Sequence, residues 1–274
     1  MKHLRPLLTA LLSAALLVTG LASAPARGST SGPSGDVVLE DHFTSRTLDP
    51  TKWLVSTGKS ARSDQIWSPS GIQLDSAGLH IISNRVAPTD FVTSGQITSY
   101  ATMLYGHIDV VARLPHGKGL QPTIWLRSYD QQGQMNGEID LVEGFGSHPQ
   151  RFQTTVHHWS HGTEPAPTCM AVGWVPKHTI CSTKPPLVQQ SYANKYHDYG
   201  MDWEPGRITF LLDGVPYFTT TDRIPDTPMA LVLNVEVGSF WDGWPTPATP
   251  FPTSYDIRSV RMTSIGGQQI TAAV

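Results

Sequence analysis

The chain contains no long stretch with the spacing of an amphipathic α-helix. Beyond residues 1–24, no segment keeps apolar residues at i, i+3, i+4 and i+7 over three turns, and 22 prolines would interrupt many helices. Short stretches rich in Val, Ile, Tyr, Trp and Thr instead alternate with Gly, Pro, Asp and Asn. This pattern is typical of β-strands joined by turns. The sequence therefore predicts an all-β fold.

The candidate strands are spread over most of the chain. The clearest are residues 78–86, 104–113, 121–127, 137–145, 151–159, 207–219 and 229–238. Within 207–219, Ile208, Phe210 and Leu212 alternate with other residues before an Asp213-Gly214 pair, which is a hairpin signal. Many short strands in one run, without an internal repeat, favour a jelly-roll sandwich of two antiparallel sheets.

The N-terminus has the pattern of a secretory signal peptide. Lys2 and Arg5 precede an apolar run over residues 7–21, which leads into the small residues Ala22, Ser23 and Ala24. A membrane anchor is the alternative interpretation. We predict a secreted, extracellular protein without membrane contact after cleavage. The expected organisation is a signal peptide over 1–24, a flexible lead-in over 25–36, one β-sandwich domain over 37–265 and a C-terminal tail over 266–274.

Two cysteines and a small net charge narrow the possible partners. In an exported protein, Cys169 and Cys181 are best interpreted as one disulfide. The formal net charge of -3 gives no basic field of the kind that nucleic acid or anionic membranes attract. We therefore expect a monomer that binds a neutral or weakly charged partner and no nucleic acid.

Three carboxylates stand close together on one candidate strand. Residues 137–146 read Gly-Glu-Ile-Asp-Leu-Val-Glu-Gly-Phe-Gly. Alternate side chains of a strand share a face, so Glu138 and Asp140 point the same way. Glu143 has the wrong parity and joins them only if a β-bulge takes up one of the two residues before it. A regular strand would instead point Glu143 into the core.

This clustering of carboxylates suits acid–base chemistry. The stretch offers no interleaved Lys or Arg to relieve the repulsion between the acids. Repulsion and partial burial raise the pKa of one carboxyl, which stays protonated as an acid while its neighbour stays ionised as a nucleophile. Side chains that lean inward along the strand can reach the ~5 to 5.5 Å carboxyl separation of retaining glycosidases. A solvated polar face of a sandwich is the alternative.

These residues resemble the signature of glycoside hydrolase family 16, the laminarinase, lichenase and agarase superfamily, in its longer Glu-x-Asp-x-x-Glu form. Further similar segments are 41–53, 104–126, 197–214 and 231–238. The resemblance implies a concanavalin A-like jelly roll with a concave cleft. It also implies a retaining endo-hydrolase that cleaves a β-linked polysaccharide, with β-1,3- or mixed β-1,3/1,4-glucan as the expected substrate. A galactan substrate, a transglycosylase and a non-catalytic carbohydrate-binding sandwich are the alternatives.

The resemblance implies a role for each acid and marks departures around them. Glu138 would be the nucleophile, Glu143 the general acid/base, and Asp140 the carboxylate that orients them. Gln121 stands where many members of the family have a Trp, and Glu236 stands where a small residue is usual. These departures predict that the sugar-binding surfaces differ from those of typical β-1,3-glucanases.

Other residues are implied to bind substrate or metal. The expected substrate-binding residues are Trp125, His157, Asn234 and Trp241. His158 is the alternative to His157 on the same strand. Members of the family commonly bind a structural calcium ion, and Gly78 and Asp256 match the positions of its ligands. No cofactor is expected to be required for the reaction.

Overall fold

The structure is a computed structural model, which describes residues 35–63, 65–86, 91–129, 135–160, 169–171, 179–265 and 269–271. The chain divides into a unit of residues 1–30, outside the described residues, and a unit of residues 31–274 that holds every described strand. The predicted signal peptide therefore lies outside the described residues. Among the described residues, no helix has the length and apolar character needed to cross a membrane.

The described residues form strands and one short 3-10 helix, as the sequence predicts. The helix is Pro69–Gly71. The strands are β1 (Val37–Asp41), β2 (Trp53–Val55), β3 (Gly58–Lys59), β4 (Ile66–Trp67), β5 (Ile72–Asp75), β6 (Gly78–Val86), β7 (Phe91–Ser94), β8 (Gln96–Met103), β9 (Gly106–Arg113), β10 (Leu120–Tyr129), β11 (Met135–Gly144), β12 (Phe152–Ser160), β13 (Cys169–Ala171), β14 (Thr179–Thr183), β15 (His197–Glu204), β16 (Arg207–Leu212), β17 (Val215–Thr220), β18 (Met229–Val237), β19 (Thr253–Ser264) and β20 (Gln269–Thr271).

These strands make two sheets. The first has the order β17-β16-β15-β9-β19-β6-β7-β4-β3, with β1 beside β19 and β5 beside β6. The second has the order β13-β14-β12-β11-β10-β18-β8-β2, with β20 beside β8. The neighbouring strands pair antiparallel except β4 and β7, which pair parallel. The predicted jelly-roll sandwich is confirmed, and β20 lies within the predicted C-terminal tail.

The predicted hairpin over residues 207–219 is present as β16 and β17. Asp213 and Gly214 have φ values of 52° and 74°. A two-residue type I′ turn needs φ > 0 at both central positions, which Asp tolerates and Gly adopts without steric cost. The turn chemistry of two residues thus fixes the pairing of the strands on either side.

The core lies between the sheets and fixes which face of β11 is free for chemistry. Its largest fully buried side chains include Trp53, Trp203, Tyr199 and Phe210. Alternation along β11 sends Ile139 into this core. Fully burying such a side chain contributes about 1.5–3 kcal/mol. The neighbouring carboxylates are therefore held on the opposite face, which β10, β12 and β18 extend on either side.

The predicted disulfide falls where the backbone alone is described. Cys169 on β13 and Cys181 on β14 are directly opposite each other in an antiparallel ladder. Opposite Cα atoms in such a ladder are about 4.5–5.5 Å apart, within the range that a disulfide spans. The two side chains lie outside the described residues, and the disulfide stays a prediction.

Candidate active site

Strand β11 contains the bulge that the acidic cluster requires. In the pairing with β12, Asp140 lies opposite Thr155 and Glu143 lies opposite Gln153, so β11 has one residue more than its partner between these pairs. The pairing with β10 shifts at the same place. Leu141 and Val142 both pack into the core. Glu143 thereby returns to the face of the other two acids, because the bulge restores its parity.

The three carboxylates are buried although they face the cleft. Glu138, Asp140 and Glu143 are 7%, 3% and 7% exposed. Burial, followed by the charge of Asp140, raises the pKa of Glu138 to about 6. The same two causes raise the pKa of Glu143 well above its usual range. Desolvation and like charges thus disfavour ionisation of both glutamates.

His157 lies beside two of the carboxylates. It is opposite Glu138 in the β11–β12 ladder, and its Nε2 is 3.2 Å from Asp140 Oδ2 and 3.8 Å from Glu138 Oε1. Burial lowers the pKa of His157, but the hydrogen bond and charge of Asp140 outweigh burial and raise it to about 9. The imidazole is therefore cationic at neutral pH. The side chain of His158 lies outside the described residues.

The same three side chains have the arrangement of a possible metal site. One ligand atom from each of Glu138, Asp140 and His157 lies within 4.8 Å of the others. A histidine must lose its proton to bind a metal ion. The raised pKa of His157 opposes that loss. The geometry therefore fits an ion pair between the imidazolium and the carboxylates better than metal binding at neutral pH.

The predicted substrate-binding residues lie around the acids. Asn234 Oδ1 accepts hydrogen bonds from Thr123 Oγ1 at 2.7 Å and from Trp125 Nε1 at 2.8 Å. Trp241 packs face to face with Phe240, with ring centroids 5.4 Å apart. Phe240 is 82% exposed. Trp125, Asn234 and Trp241 line one open pocket together with the three acids.

Trp125 is covered by arginines and does not present an open ring. It is 8% exposed, and the guanidinium carbons of Arg62 and Arg127 are each 5.5 Å from its ring centroid. Arg62 also brings Nη2 to 3.6 Å from Glu138 Oε2. The Trp125 ring is therefore available to a sugar only if a guanidinium moves from it.

A loop between β3 and β4 holds Arg62 over the cleft. Glu236 Oε2 accepts hydrogen bonds from Ser63 Oγ at 2.7 Å, Ser60 Oγ at 3.2 Å and Gln65 Nε2 at 3.3 Å. Sequence reasoning marked Glu236 as unusual but did not find its partners, and it missed Arg62 completely. Loop residues have no periodic pattern that would assign them to a cleft.

The predicted calcium ligands Gly78 and Asp256 lie on the first sheet, whereas the three acids lie on the second. Asp256 on β19 is buried, and its Oδ1 lies 2.6 Å from Nδ1 of His80 and accepts from the Ser254 hydroxyl. Its Oδ2 accepts from Nε and Nη2 of Arg113 at 2.8 and 2.6 Å. Gly78 begins β6 with φ of 130°. Both carboxylate oxygens are engaged and a guanidinium already supplies the positive charge, so the Asp256 carboxylate does not fit a calcium ligand.

Comparisons with known proteins identify the family. The family model described as Glycosyl hydrolases family 16 matches residues 59–256. The chain belongs to glycosyl hydrolase family 16. It is similar to a glucan endo-1,3-β-glucosidase and to a β-glucanase.

Two relatives show how far the similarity of sequence extends. The chain is 25% identical over 270 residues to "Glucan endo-1,3-beta-glucosidase A1" of Niallia circulans, over 83% of this chain and 37% of that protein. It is 26% identical over 243 residues to "Beta-glucanase" of Rhodothermus marinus, over 78% of this chain and 80% of that protein. The family 16 chain thus spans about a third of the first relative and four fifths of the second.

Solved structures support the same fold. The laminarinase catalytic domain from Thermotoga maritima MSB8 superposes with a TM-score of 0.66 at 22% identity, over 85% of this chain and 99% of that one. The β-glucanase of Bacillus licheniformis has a TM-score of 0.65 at 21% identity, over 85% and 100%. At this level of identity, the likeness extends to the fold alone.

Proposed function

We propose that the protein is a secreted, retaining endo-hydrolase that cleaves a β-linked glucan by double displacement. The observation that carries the proposal is the bulge of β11, which brings Glu138 and Glu143 to one face of the cleft. Their surroundings differ. Glu138 is near the cations of Arg62 and His157, whereas Glu143 accepts hydrogen bonds from a neutral amide and a hydroxyl. This difference favours an ionised Glu138 and a protonated Glu143.

In the first step, the Glu138 carboxylate attacks the anomeric carbon and the glycosidic C–O bond breaks. Glu143 gives its proton to the leaving oxygen, so that the departing sugar leaves as an alcohol. The product of this step is a glycosyl ester of Glu138. Asp140, paired with the imidazolium of His157, lies between the two glutamates along the strand and orients them.

In the second step, the ionised Glu143 takes a proton from water and the water oxygen attacks the anomeric carbon. The ester bond to Glu138 breaks and the Glu138 carboxylate is restored. Two inversions at the same carbon give net retention of configuration. A sugar hydroxyl in place of water would give transglycosylation with the same residues.

The β-glucan substrate and the extracellular location rest on separate observations. Relatives named for glucan endo-1,3-β-glucosidase and β-glucanase activities support a β-1,3- or mixed-linked glucan. The charged n-region, apolar run and small residues of 1–24 support export. A disulfide between Cys169 and Cys181, as predicted from the sequence, would fit the same location.

A substrate panel tests this function directly. The purified protein is incubated with laminarin, lichenan, agarose, carrageenan and β-galactan, and the product sizes and the anomeric configuration of new reducing ends are measured. We expect oligosaccharides from laminarin or lichenan, with the β-configuration formed first. Cleavage of a galactan alone would assign the alternative substrate, and α-anomers as the first product would contradict retention.

The two glutamates predict a bell-shaped pH profile for kcat/KM. Activity needs Glu138 ionised, and burial raises its pKa to about 6, so kcat/KM should rise with pH through about 6. Activity also needs Glu143 protonated, so kcat/KM should fall at higher pH as this carboxyl loses its proton. The initial rate at low substrate concentration measures this profile.

A variant of His157 checks the assignment of the acid limb. His157→Gln removes a positive charge beside Glu138, so the acid limb should move to higher pH. If the rise of kcat/KM with pH stays at the same pH in this variant, the ionisation observed there belongs to a group other than Glu138.

A further inference from the structure

Gln121 occupies a buried position next to the acid Glu143. It lies on β10, is 4% exposed and lines the cleft pocket. Its neighbour on the same face, Thr123, is directly opposite Glu143 in the β10–β11 ladder. The family resemblance places an aromatic ring at this position, and a glutamine brings a donor and an acceptor instead. A buried amide of this kind is stable only when both groups are paired.

Both polar groups of the Gln121 side-chain amide form hydrogen bonds, because its oxygen accepts from one neighbour and its nitrogen donates to another. Ser239 Oγ donates to Gln121 Oε1 at 2.7 Å, and Gln121 Nε2 donates to Glu143 Oε1 at 3.2 Å. A flipped amide would put Gln121 Oε1 against Glu143 Oε1, and two acceptor oxygens without a proton between them repel each other. Donation from Ser239 to Gln121 Oε1 satisfies the amide carbonyl in the orientation in which the N–H points at Glu143.

We propose that Gln121, oriented by Ser239, is a positioning residue that holds the carboxyl of Glu143 for proton transfer. The proposal rests on the acid/base role of Glu143 given above. An amide N–H can only donate, so Oε1 of Glu143 remains an acceptor in both protonation states. The proton that goes to the leaving oxygen is then carried by Oε2. Thr155 Oγ1 lies 3.3 Å from Oε2 and can donate to it or accept from it.

The contact also adjusts how readily Glu143 gives up its proton. A hydrogen bond to a carboxylate is roughly twice as strong as one to a neutral carboxyl, so the donor favours the ionised form. Removing it should therefore raise the pKa of Glu143 further. The misplaced carboxyl should also transfer its proton more slowly, because proton transfer needs heavy atoms about 2.6–3.2 Å apart.

The test compares Gln121→Met with Gln153→Met. Met is close to Gln in volume and removes the amide. Gln153 is a matched control because it is buried and directly opposite Glu143 on β12, but its amide donates to the backbone carbonyls of Thr154 and Pro185. Rates are measured against pH with the polysaccharide and with an aryl glycoside whose phenol leaves without protonation. Thermal unfolding checks that each variant is folded.

We expect Gln121→Met to lower kcat on the polysaccharide by about 10- to 100-fold with little change in KM, and to move the alkaline limb to higher pH. On the aryl glycoside, the loss of kcat/KM, which reports only the steps up to departure of the phenol, should be much smaller. Ser239→Ala should shift the fall in activity at high pH in the same direction by a smaller amount. This variant tests the contact of Ser239 with Gln121 if Gln121→Met fails to fold. Gln153→Met should leave the limb in place.

Two results would overturn the proposal, and they are separable from failure of the proposed function. If Gln121→Met is folded and has the kcat of the wild type, with the same fall in activity at high pH, Gln121 has no positioning role. The acid/base role of Glu143 would still stand if Glu143→Gln loses activity. A loss confined to KM, equal on both substrates, would assign Gln121 to substrate binding. If Glu143→Gln itself keeps wild-type activity, the acid/base assignment fails before Gln121 is considered.

Discussion

Glu138→Gln should reduce kcat on the polysaccharide by about 10⁴-fold or more, the scale of losing a catalytic nucleophile. The amide has nearly the shape of the carboxylate but cannot form the glycosyl ester. Stability should be unchanged or higher, because the substitution removes a buried charge that lies beside the carboxylate of Asp140. Activity and thermal unfolding of the same preparation measure both effects, and activity near wild type would refute the assignment.

Rescue by azide distinguishes the nucleophile from other essential residues. In Glu138→Ala the missing carboxylate leaves space for azide, which would attack the anomeric carbon directly and displace the protonated leaving group. One inversion converts a β-glycoside into an α-glycosyl azide. A Glu138→Ala variant that is folded yet yields no azide product would argue against nucleophilic attack from this position.

Glu143→Gln should lower kcat on the polysaccharide by about 10²- to 10⁴-fold, the usual contribution of general acid–base catalysis. The loss should depend on the leaving group, because a sugar alkoxide needs a proton and a nitrophenolate does not. With an aryl glycoside, glycosylation of Glu138 should therefore remain fast and the glycosyl ester should accumulate. A burst of nitrophenol followed by slow turnover is the expected observation.

Azide gives the opposite stereochemistry in the Glu143 variant. In Glu143→Ala, azide needs no general base and would attack the ester of Glu138, so two inversions give a β-glycosyl azide. An α-azide from Glu143→Ala, or an equal loss of kcat/KM on polysaccharide and aryl substrates, would contradict the assigned role. The two azide products thus identify the two glutamates independently of the size of their rate effects.

Local sequence patterns predicted much of the fold. Strand β6 has the predicted bounds, and β11 has the bulge that parity requires if Glu143 is to share the face of the other two acids. Strand β19 was not among the clearest candidate strands. It carries charged residues such as Asp256 and Arg261, and its pairing with β9 shifts between Ile257 and Ser259, so simple alternation is lost.

Contacts between distant parts of the chain explain what the sequence did not predict at the site. Glu236 bonds to residues more than 170 positions away, and Gln121 meets Ser239 across 118 positions. No local pattern records such pairs, because they depend on how the two sheets and their loops fold together. For the same reason the sequence did not reveal Arg62 in the cleft, nor the two arginines that cover the expected sugar-binding residue Trp125.

Because of its bulge, strand β11 could lose one residue and still keep the three acids on one face. Removing one of the two core-facing residues between Asp140 and Glu143 would leave Glu-x-Asp-x-Glu, in which plain alternation puts all three acids on one side. The number of outward-facing steps from Glu138 to Glu143 would be the same. Loss of a single codon at this point therefore preserves the spacing of the reacting groups, whereas the same loss between Glu138 and Asp140 would turn one acid into the core.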